Sequence, residues 1–366
     1  MNILLFSLMA CLHTIVPDND SIMQSEASAF ISSLPAGMQK RQETAVRKAV
    51  GGDSSSLDSV RSSRNSAFNP PEDVSCIDID GRYRLYRPAG GTAEPLPLLI
   101  YLHGGGWCFG SVNSCAAFCS ELTREAGIAV LAAEYPLAPE YPFPHALQFC
   151  SEALRWAHQN AVKFGFDRKR ISMGGDSAGG NLALCAALEN DSYPLKSLVL
   201  FYPVVKAWND NSLSWRRYGE GYGLDSGIME AFNEAYTAGA DRENPLISPF
   251  CAVSERLAAL PEILMINADH DILRDQGEEM SRKLSESGVK VTRHVLPGTT
   301  HLFITVPGQP SAFRRSVTLT SEFLTEKYNR ENETCNFQKR NEQNFSFFAS
   351  FFLLLFRPLK YQLNAD

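Results

Sequence analysis

The chain has 366 residues, of which 44% are apolar, which suits one large globular domain with an appended cap or two small domains. Its net charge of −7 and the lack of any long basic run argue against nucleic acid as a partner. The nine cysteines are dispersed, odd in number and free of CxxC pairs, which argues against a disulfide scaffold and favours a reducing, cytoplasmic compartment.

The two ends of the chain carry apolar stretches that differ from the central pattern. Residues 3–16 have the form of a signal-peptide core, which would mean export, but no Lys or Arg precedes them and His13 interrupts them. Otherwise residues 1–20 would be an extension or the start of a cap helix. Residues 345–356 are rich in Phe and Leu, but as a helix they would span only about 18 Å of a bilayer core about 30 Å thick. We expect residues 330–366 to form a tail outside the core, with a peripheral membrane contact as the alternative.

The N-terminal region predicts helical structure followed by a connection. Apolar residues recur with largely helical spacing between residues 25 and 50. Residues 51–64 are rich in Ser, Gly and Asp, which predicts a loop or linker.

From Cys76 onward, short strands alternate with helices. The predicted strands lie near 77–86, 97–102, 129–134, 171–174, 197–202, 263–268 and 289–296, and the predicted helices near 114–125, 145–164, 179–188, 275–286 and 311–327. This alternation, with apolar runs that lack period-two spacing, predicts an α/β fold with a mainly parallel sheet and helices on both faces. Functional sites in such sheets form at the carboxyl ends of the strands.

Residues 204–244 interrupt the alternation of strands and helices. Their predicted helices carry several large aromatic side chains, at Trp208, Trp215, Tyr218, Tyr222 and Phe232. This insertion either forms part of a cap over the site or packs its aromatic side chains against the core.

A Gly-x-Ser-x-Gly pattern runs from Gly175 to Gly179, between the strand predicted over 171–174 and the helix predicted over 179–188. A serine on so sharp a turn needs residues without bulky side chains two positions before and after it. The pattern therefore predicts a strand-to-helix elbow that presents Ser177 as a nucleophile.

A second glycine motif, His103–Trp107, follows another predicted strand and holds three consecutive glycines. Such glycines expose backbone N–H groups, which can stabilise a negatively charged oxygen as it forms. Together with the elbow, the motif predicts an oxyanion hole to which the N–H of Ala178 would also contribute. We expect His103 to brace this loop rather than to transfer protons.

A serine nucleophile needs a base, and His301 is the best-placed histidine. It lies in a loop directly after the last predicted strand. The other histidines lie on helical, terminal or strand segments or in the glycine motif, except His270, which is adjacent to the candidate acids and poorly placed to be oriented by its own neighbour.

The base needs a carboxylate that orients it, expected after the penultimate strand. Asp269, Asp271 and Asp275 all lie there. Asp275 and Glu278 have the spacing of a helix-capping box, which explains Asp275 without a catalytic role. We therefore expect Asp271 to orient His301, with Asp269 as the alternative.

These motifs together resemble the hormone-sensitive-lipase-like family of carboxylesterases, which includes acetyl esterases and arylacetamide deacetylases. The resemblance covers about residues 76–328 and rests on the motifs HGGGW at 103–107 and GDSAGGN at 175–181, the segment from Asp271 and the histidine loop. The order Ser177, Asp271, His301 is that of α/β-hydrolases.

The resemblance implies an α/β-hydrolase fold, with a catalytic domain over 71–329 and a helical cap built from 21–70 and the insertion at 204–244. By family analogy, either Gly105 and Gly106 or Gly104 and Gly105 would join Ala178 in the oxyanion hole, and we favour Gly105 and Gly106.

The implied activity is hydrolysis of small-molecule esters of short- to medium-chain acids, without a cofactor or metal. Two alternatives stay open. The first is a non-catalytic small-molecule receptor on the same fold, as in the plant gibberellin receptors, and the second is an amidase or peptidase that uses the same triad. The sequence does not indicate the oligomeric state.

Overall fold

A computed structural model of the protein describes residues 19–92 and 94–329, so the signal-like segment and the predicted tail lie outside the described residues. Eight strands form one sheet. In chain order they are β1 Val74–Ile79, β2 Tyr83–Pro88, β3 Leu96–Leu102, β4 Ala129–Ala133, β5 Phe166–Asp176, β6 Ser197–Phe201, β7 Glu262–His270 and β8 Val291–Thr300.

The strand order across the sheet is β1-β2-β4-β3-β5-β6-β7-β8. β2 runs antiparallel to both its neighbours, β1 and β4. All the remaining neighbouring strands, in the order β4-β3-β5-β6-β7-β8, are parallel to one another. The chain therefore ends β3, β5, β7 and β8 at the same edge, which confirms the predicted mainly parallel sheet.

Helices connect and flank these strands. In chain order they are α1 Asn19–Ser33, α2 Met38–Val50, α3 Ser55–Arg64, α4 Ala116–Ala126, α5 His145–Phe164, α6 Ala178–Glu189, α7 Leu213–Tyr218, α8 Ser226–Thr237, α9 Ser254–Leu257, α10 Arg274–Glu286 and α11 310–329. A short 3-10 turn covers Pro249–Cys251. None of the helices in the described part of the chain is both long and apolar enough to cross a bilayer.

The central strands are buried on both sides, which explains their continuous apolar runs. Leu98 and Ile100 of β3 belong to one core together with residues of α5 and α6. Leu99 and Tyr101, the alternate residues, belong to a second core with residues of α4 and α11. Because neighbouring side chains of a strand point to opposite faces, both faces of the sheet are covered by helices, as predicted.

Two local predictions were wrong. The single strand predicted over 77–86 is a hairpin of β1 and β2, because Asp80 and Gly81 both have positive φ and reverse the chain. Asp-Gly is a strong hairpin signal, which the strand prediction overlooked. The loop predicted over 51–64 contains helix α3, whose Leu57 is fully buried.

Contacts of Arg61 with distant residues explain why α3 is helical despite its serine-rich sequence. Arg61 donates hydrogen bonds to both carboxylate oxygens of Glu140, each at 2.8 Å, and to the carbonyl oxygens of Cys108 and Ala138. These tertiary contacts stabilise a helix that local propensity alone does not favour.

Candidate active site

Ser177 lies at the sharp turn between β5, which ends at Asp176, and α6, which begins at Ala178. Its backbone has φ 56° and ψ −117°, a conformation that a non-glycine residue adopts only when its surroundings impose it. The backbone N–H of Ser177 donates to the carbonyl of Phe201 at 2.9 Å, which helps to hold the turn. The Ser177 side chain is thereby presented at the carboxyl edge of the sheet.

The glycines on either side of Ser177 allow close contact with the neighbouring strand. A Cβ atom on Gly179 would lie 2.0 Å from the carbonyl oxygen of Leu102, and one on Gly175 would lie 2.3 Å from the same atom. No real Cβ reaches such distances, so the elbow and β3 can pack together only with glycine at both positions. This agrees with the steric reason for the Gly-x-Ser-x-Gly spacing.

His301 follows directly after β8 and contacts both other predicted members of the triad. Its Nε2 lies 3.1 Å from Oγ of Ser177, and its Nδ1 lies 2.7 Å from Oδ2 of Asp271. A carboxylate can only accept, so the proton on the imidazole belongs on Nδ1 and leaves Nε2 free to accept from the serine hydroxyl. All three side chains are buried.

The structure separates the three aspartates of the acid segment. Asp271 is 2% exposed, and its second oxygen, Oδ1, accepts the N–H of Leu273 at 3.0 Å. Asp269 instead pairs with Arg274 and accepts the N–H of Gly298. Of the three, only Asp271 has a hydrogen bond to the imidazole of His301.

The capping box predicted for Asp275 was wrong. Helix α10 begins at Arg274 with Leu273 at its N-cap position, and no side chain caps it. Asp275 accepts the N–H of Ser214 at 2.7 Å and pairs with Arg274, so its carboxylate connects α10 to α7.

Gln309 is a residue of the site that the sequence analysis missed. Its side-chain amide is 1% exposed and bonds the backbone beside the base: Oε1 accepts the N–H of Thr300, and Nε2 donates to the carbonyls of Thr300 and His301. It therefore fixes the backbone on both sides of the imidazole. A lone glutamine eight positions after the histidine carries no sequence pattern that would have identified it.

The glycine loop carries the backbone N–H groups of three consecutive glycines, of which Gly105 and Gly106 line one cavity together with Ser177. The N–H of Gly104 donates to Oδ1 of Asp176 at 2.9 Å. Within the described residues, the N–H groups of Gly105 and Gly106 have no acceptor. Ala178 begins α6, so its N–H has no partner within the helix. Three donors thus remain free near Ser177, while Gly104 is already engaged.

His103 has the surroundings of a structural residue. It is fully buried, its Nδ1 lies 2.9 Å from the carbonyl oxygen of Gly104, and its ring stacks on Tyr135 with centroids 4.2 Å apart. Burial lowers the pKa of the His103 imidazole, so the neutral ring donates from Nδ1 to that carbonyl.

Asp176 is a buried acid next to the serine. Burial raises the pKa of the Asp176 carboxyl to about 6, although hydrogen bonds from the Tyr101 hydroxyl and the Gly104 N–H favour the charged form. The carboxyl lies beside the reacting groups, and within the described part of the chain it is held by the structural donors Tyr101 and Gly104.

A small cavity of about 30 Å³ adjoins Ser177 and His301, with room for roughly two water molecules. Its walls come from the glycine loop and from helices α2, α3 and α8. Besides the glycines and the catalytic candidates, the lining residues are Gln39, Gln42, Arg64, Phe109, Asp176, Gly223, Leu224, Ile228, Phe232 and Leu302. Among the residues that the structure describes, no cluster of His, Cys, Asp and Glu could hold a metal ion.

Sequence comparison with known proteins also indicates an α/β-hydrolase fold. A family profile described as alpha/beta hydrolase fold matches residues 99–305. The ethyl acetate hydrolase of Pseudomonas putida is 37% identical over 241 residues, which cover 63% of this chain and 75% of that protein. An arylesterase of Saccharolobus solfataricus is 34% identical over 255 residues, covering 69% of this chain and 81% of that protein.

Solved structures are similar over most of the described chain. A thermostable esterase from Pseudomonas putida has a TM-score of 0.69 and 28% identity, covering 82% of this chain and 95% of that one. A hyperthermophilic esterase from the archaeon Pyrobaculum calidifontis has a TM-score of 0.67 and 31% identity, covering 76% and 96% of the two chains.

Proposed function

The chain belongs to the α/β-hydrolase family, in its hormone-sensitive-lipase-like branch of esterases. On that premise we propose that it hydrolyses small carboxylic esters through a transient acyl group on Ser177. The observation that carries this proposal is the pair of hydrogen bonds of one buried imidazole. Nε2 of His301 lies 3.1 Å from Oγ of Ser177, and Nδ1 lies 2.7 Å from Oδ2 of Asp271. A serine needs such a base to become a nucleophile near neutral pH.

In the first half of the proposed reaction, Oγ of Ser177 attacks the ester carbonyl carbon while Nε2 of His301 takes the hydroxyl proton. Asp271 holds the Nδ1–H tautomer and stabilises the imidazolium that forms. The imidazolium then gives its proton to the leaving alcohol as the C–O bond breaks. An acyl group remains on Ser177.

In the second half, water replaces the alcohol. His301 takes a proton from the water, which attacks the acyl carbon, and returns a proton to Oγ of Ser177 as the acid leaves. The same three side chains therefore serve both halves, and no metal or cofactor takes part in this scheme.

We assign the oxyanion donors to the N–H groups of Gly105, Gly106 and Ala178. These N–H groups have no acceptor among the described residues, so they are free to bind a developing negative charge. Gly104 is left out of this set because its N–H already donates to Asp176.

We propose that helices α1 to α3 and the insertion at 204–244 form a cap that sets substrate size. Side chains from α2, α3 and α8 line the cavity over Ser177, whose volume of about 30 Å³ leaves space for a small acyl group. Short acyl groups such as acetyl are therefore favoured, and the cap must move away from the glycine loop to admit butyryl or longer chains.

The test is hydrolysis of p-nitrophenyl esters from acetate to octanoate by the full chain and by Ser177→Ala. We expect the highest kcat/KM with acetate or butyrate and a loss of nearly all activity in the variant. If the wild-type protein hydrolysed none of these esters, or hydrolysed an anilide as fast as the matching phenyl ester, the proposal would be wrong.

A further inference from the structure

Two arginines of α3, one helical turn apart, have contrasting surroundings. Arg61 is neutralised by Glu140 and donates to two backbone carbonyls. Arg64 has no acidic partner among the described residues, and its one hydrogen bond within the protein is from Nη2 to Oε1 of Gln42 at 3.3 Å. The charge of Arg64 is therefore balanced by no carboxylate in the part of the chain that the structure describes.

Arg64 is nonetheless partly buried. Its guanidinium carbon lies 5.1 Å from the centre of the Phe109 ring, which orients the planar group. Burial lowers the pKa of the Arg64 guanidinium, and no neighbouring acid offsets the effect. A guanidinium carries five N–H donors, and the amide of Gln42 accepts only one of them.

The position of Arg64 connects this unbalanced charge to the reaction. Arg64 and Gln42 line the same small cavity as Ser177, His301 and Gly106. Because these side chains line one cavity, a substrate bound at Ser177 can extend a group towards the guanidinium.

We propose that Arg64 binds an anionic group of the substrate, so that the preferred esters carry a free carboxylate in addition to the ester that is cleaved. The inference rests on the proposed esterase function of Ser177. The flat fork of N–H donors matches the two oxygens of a carboxylate. Among the anionic groups with that geometry, a carboxylate is the smallest that a small ester could carry. Burial strengthens the attraction, because water competes less well for either charge.

Matched substrate pairs test this preference on each side of the ester bond. The acyl chain of ethyl butyrate ends in a methyl group, and that of monoethyl succinate ends in a carboxylate at the same position. Propyl acetate and 3-acetoxypropanoate differ in the same way on the alcohol side. The measured quantity is the ratio of kcat/KM for the anionic ester to that for its neutral partner, from titration of the acid released.

The decisive variants are Arg64→Met and Gln42→Glu, with Gln42→Ala and Lys48→Met as controls. Arg64→Met removes the charge, and Gln42→Glu supplies an internal carboxylate beside it, so both should lower the ratio. A hydrogen bond between charged groups changes a binding or rate constant by about 10- to 100-fold. We expect the ratio of kcat/KM to decrease by that factor in at least one substrate pair. Gln42→Ala keeps the free guanidinium, and Lys48 is an exposed cation on α2 that does not line the cavity, so both controls should keep the wild-type ratio.

The outcomes separate the two proposals. If the wild-type protein hydrolyses the neutral esters but its ratio equals that of Arg64→Met and of Gln42→Glu in both pairs, recognition of an anion by Arg64 is wrong and the esterase function stands. If the wild-type protein hydrolyses neither member of either pair, the esterase function itself fails. Should Arg64→Met not fold, Gln42→Glu alone decides, because it retains the arginine and changes only its partner.

Discussion

Asp176 accepts the backbone N–H of Gly104 through its Oδ1 atom at a distance of 2.9 Å. The residue before the proposed nucleophile is thus bonded directly to the loop that carries the proposed oxyanion donors. The Tyr101 hydroxyl donates to the same carboxylate oxygen at 3.0 Å. Since β3 leads into the glycine loop and β5 leads into the elbow, this carboxylate fixes the position of one relative to the other.

The raised pKa of Asp176 predicts a specific pH dependence of stability. Burial raises this pKa from 3.8 to about 6, so the folded protein holds the proton more tightly than the unfolded chain. The resulting stabilisation is complete below pH 3.8 and is lost as the pH rises through about 6. It amounts to about 3 kcal/mol.

Asp176→Asn tests this dependence because it removes the ionisation. We expect the free energy of unfolding of the wild-type protein, relative to that of the variant, to fall by about 2.5 kcal/mol between pH 4 and pH 7. Denaturant unfolding of both proteins across this range measures the difference. A difference that stays constant with pH would show that Asp176 does not titrate in this way.

Gly179→Ala is expected to prevent folding or to lower stability by several kcal/mol. Its Cβ would lie 2.0 Å from the carbonyl oxygen of Leu102 and 2.5 Å from that of His103, so the strand or the elbow would have to move. Gly180→Ala is the matched control, because its nearest contacts are at 3.1 Å and alanine favours a helix. Soluble yield and thermal unfolding of the two variants measure the contrast, and equal behaviour would contradict it.

Asp271→Asn is expected to lower kcat by about 10³- to 10⁴-fold, since an amide in this position favours the wrong tautomer of His301. Asp269→Asn is the control, because its carboxylate contacts Arg274 and Gly298 rather than the imidazole. We expect the control to keep kcat within about tenfold of wild type. Steady-state kinetics on p-nitrophenyl acetate decide, and a larger effect at Asp269 would exchange the two assignments.

Gln309→Leu tests whether Gln309 is a positioning residue for the base. The change leaves the N–H of Thr300 and the carbonyl of His301 without their partner, which costs about 1–3 kcal/mol of stability. If the imidazole shifts as a result, kcat should fall by roughly 10- to 100-fold with little change in KM.

Thr320→Val separates positioning from general loss of stability. Thr320 is fully buried in α11 and donates to the carbonyl of Ser316 within the same helix rather than to the backbone of the base. This variant should lower the melting temperature and leave kcat unchanged when assayed well below that temperature. A folded Gln309→Leu protein with wild-type kcat would show that Gln309 has no positioning role.

Those parts of the fold and site that depend on local steric rules could be predicted from sequence. The elbow at Ser177 needs glycine at fixed spacing. The parallel strands are recognisable in the sequence as unbroken apolar runs. The positions of Asp271 and His301 followed from the order of strands, because the carboxyl ends of parallel strands meet at one edge.

The parts that depend on distant contacts could not be predicted. Helix α3 forms because Leu57 is buried and Arg61 finds Glu140, 79 positions away in the chain. The hydrogen bond between Gly104 and Asp176, which removes one N–H from the proposed oxyanion donors, likewise joins residues 72 positions apart. That Arg64 has no acidic partner among the described residues becomes visible only when the acids of that part of the chain are placed.

Acylation of Ser177 is the central claim, and mass spectrometry after treatment with a fluorophosphonate tests it most directly. Such a reagent bonds covalently to a serine only when a base withdraws the hydroxyl proton and donors hold the developing oxyanion. We expect one label per chain, located on the peptide that contains Ser177, with esterase activity lost in proportion to labelling and no label on Ser177→Ala. Labelling at another residue, or full activity in a protein labelled at Ser177, would contradict the account.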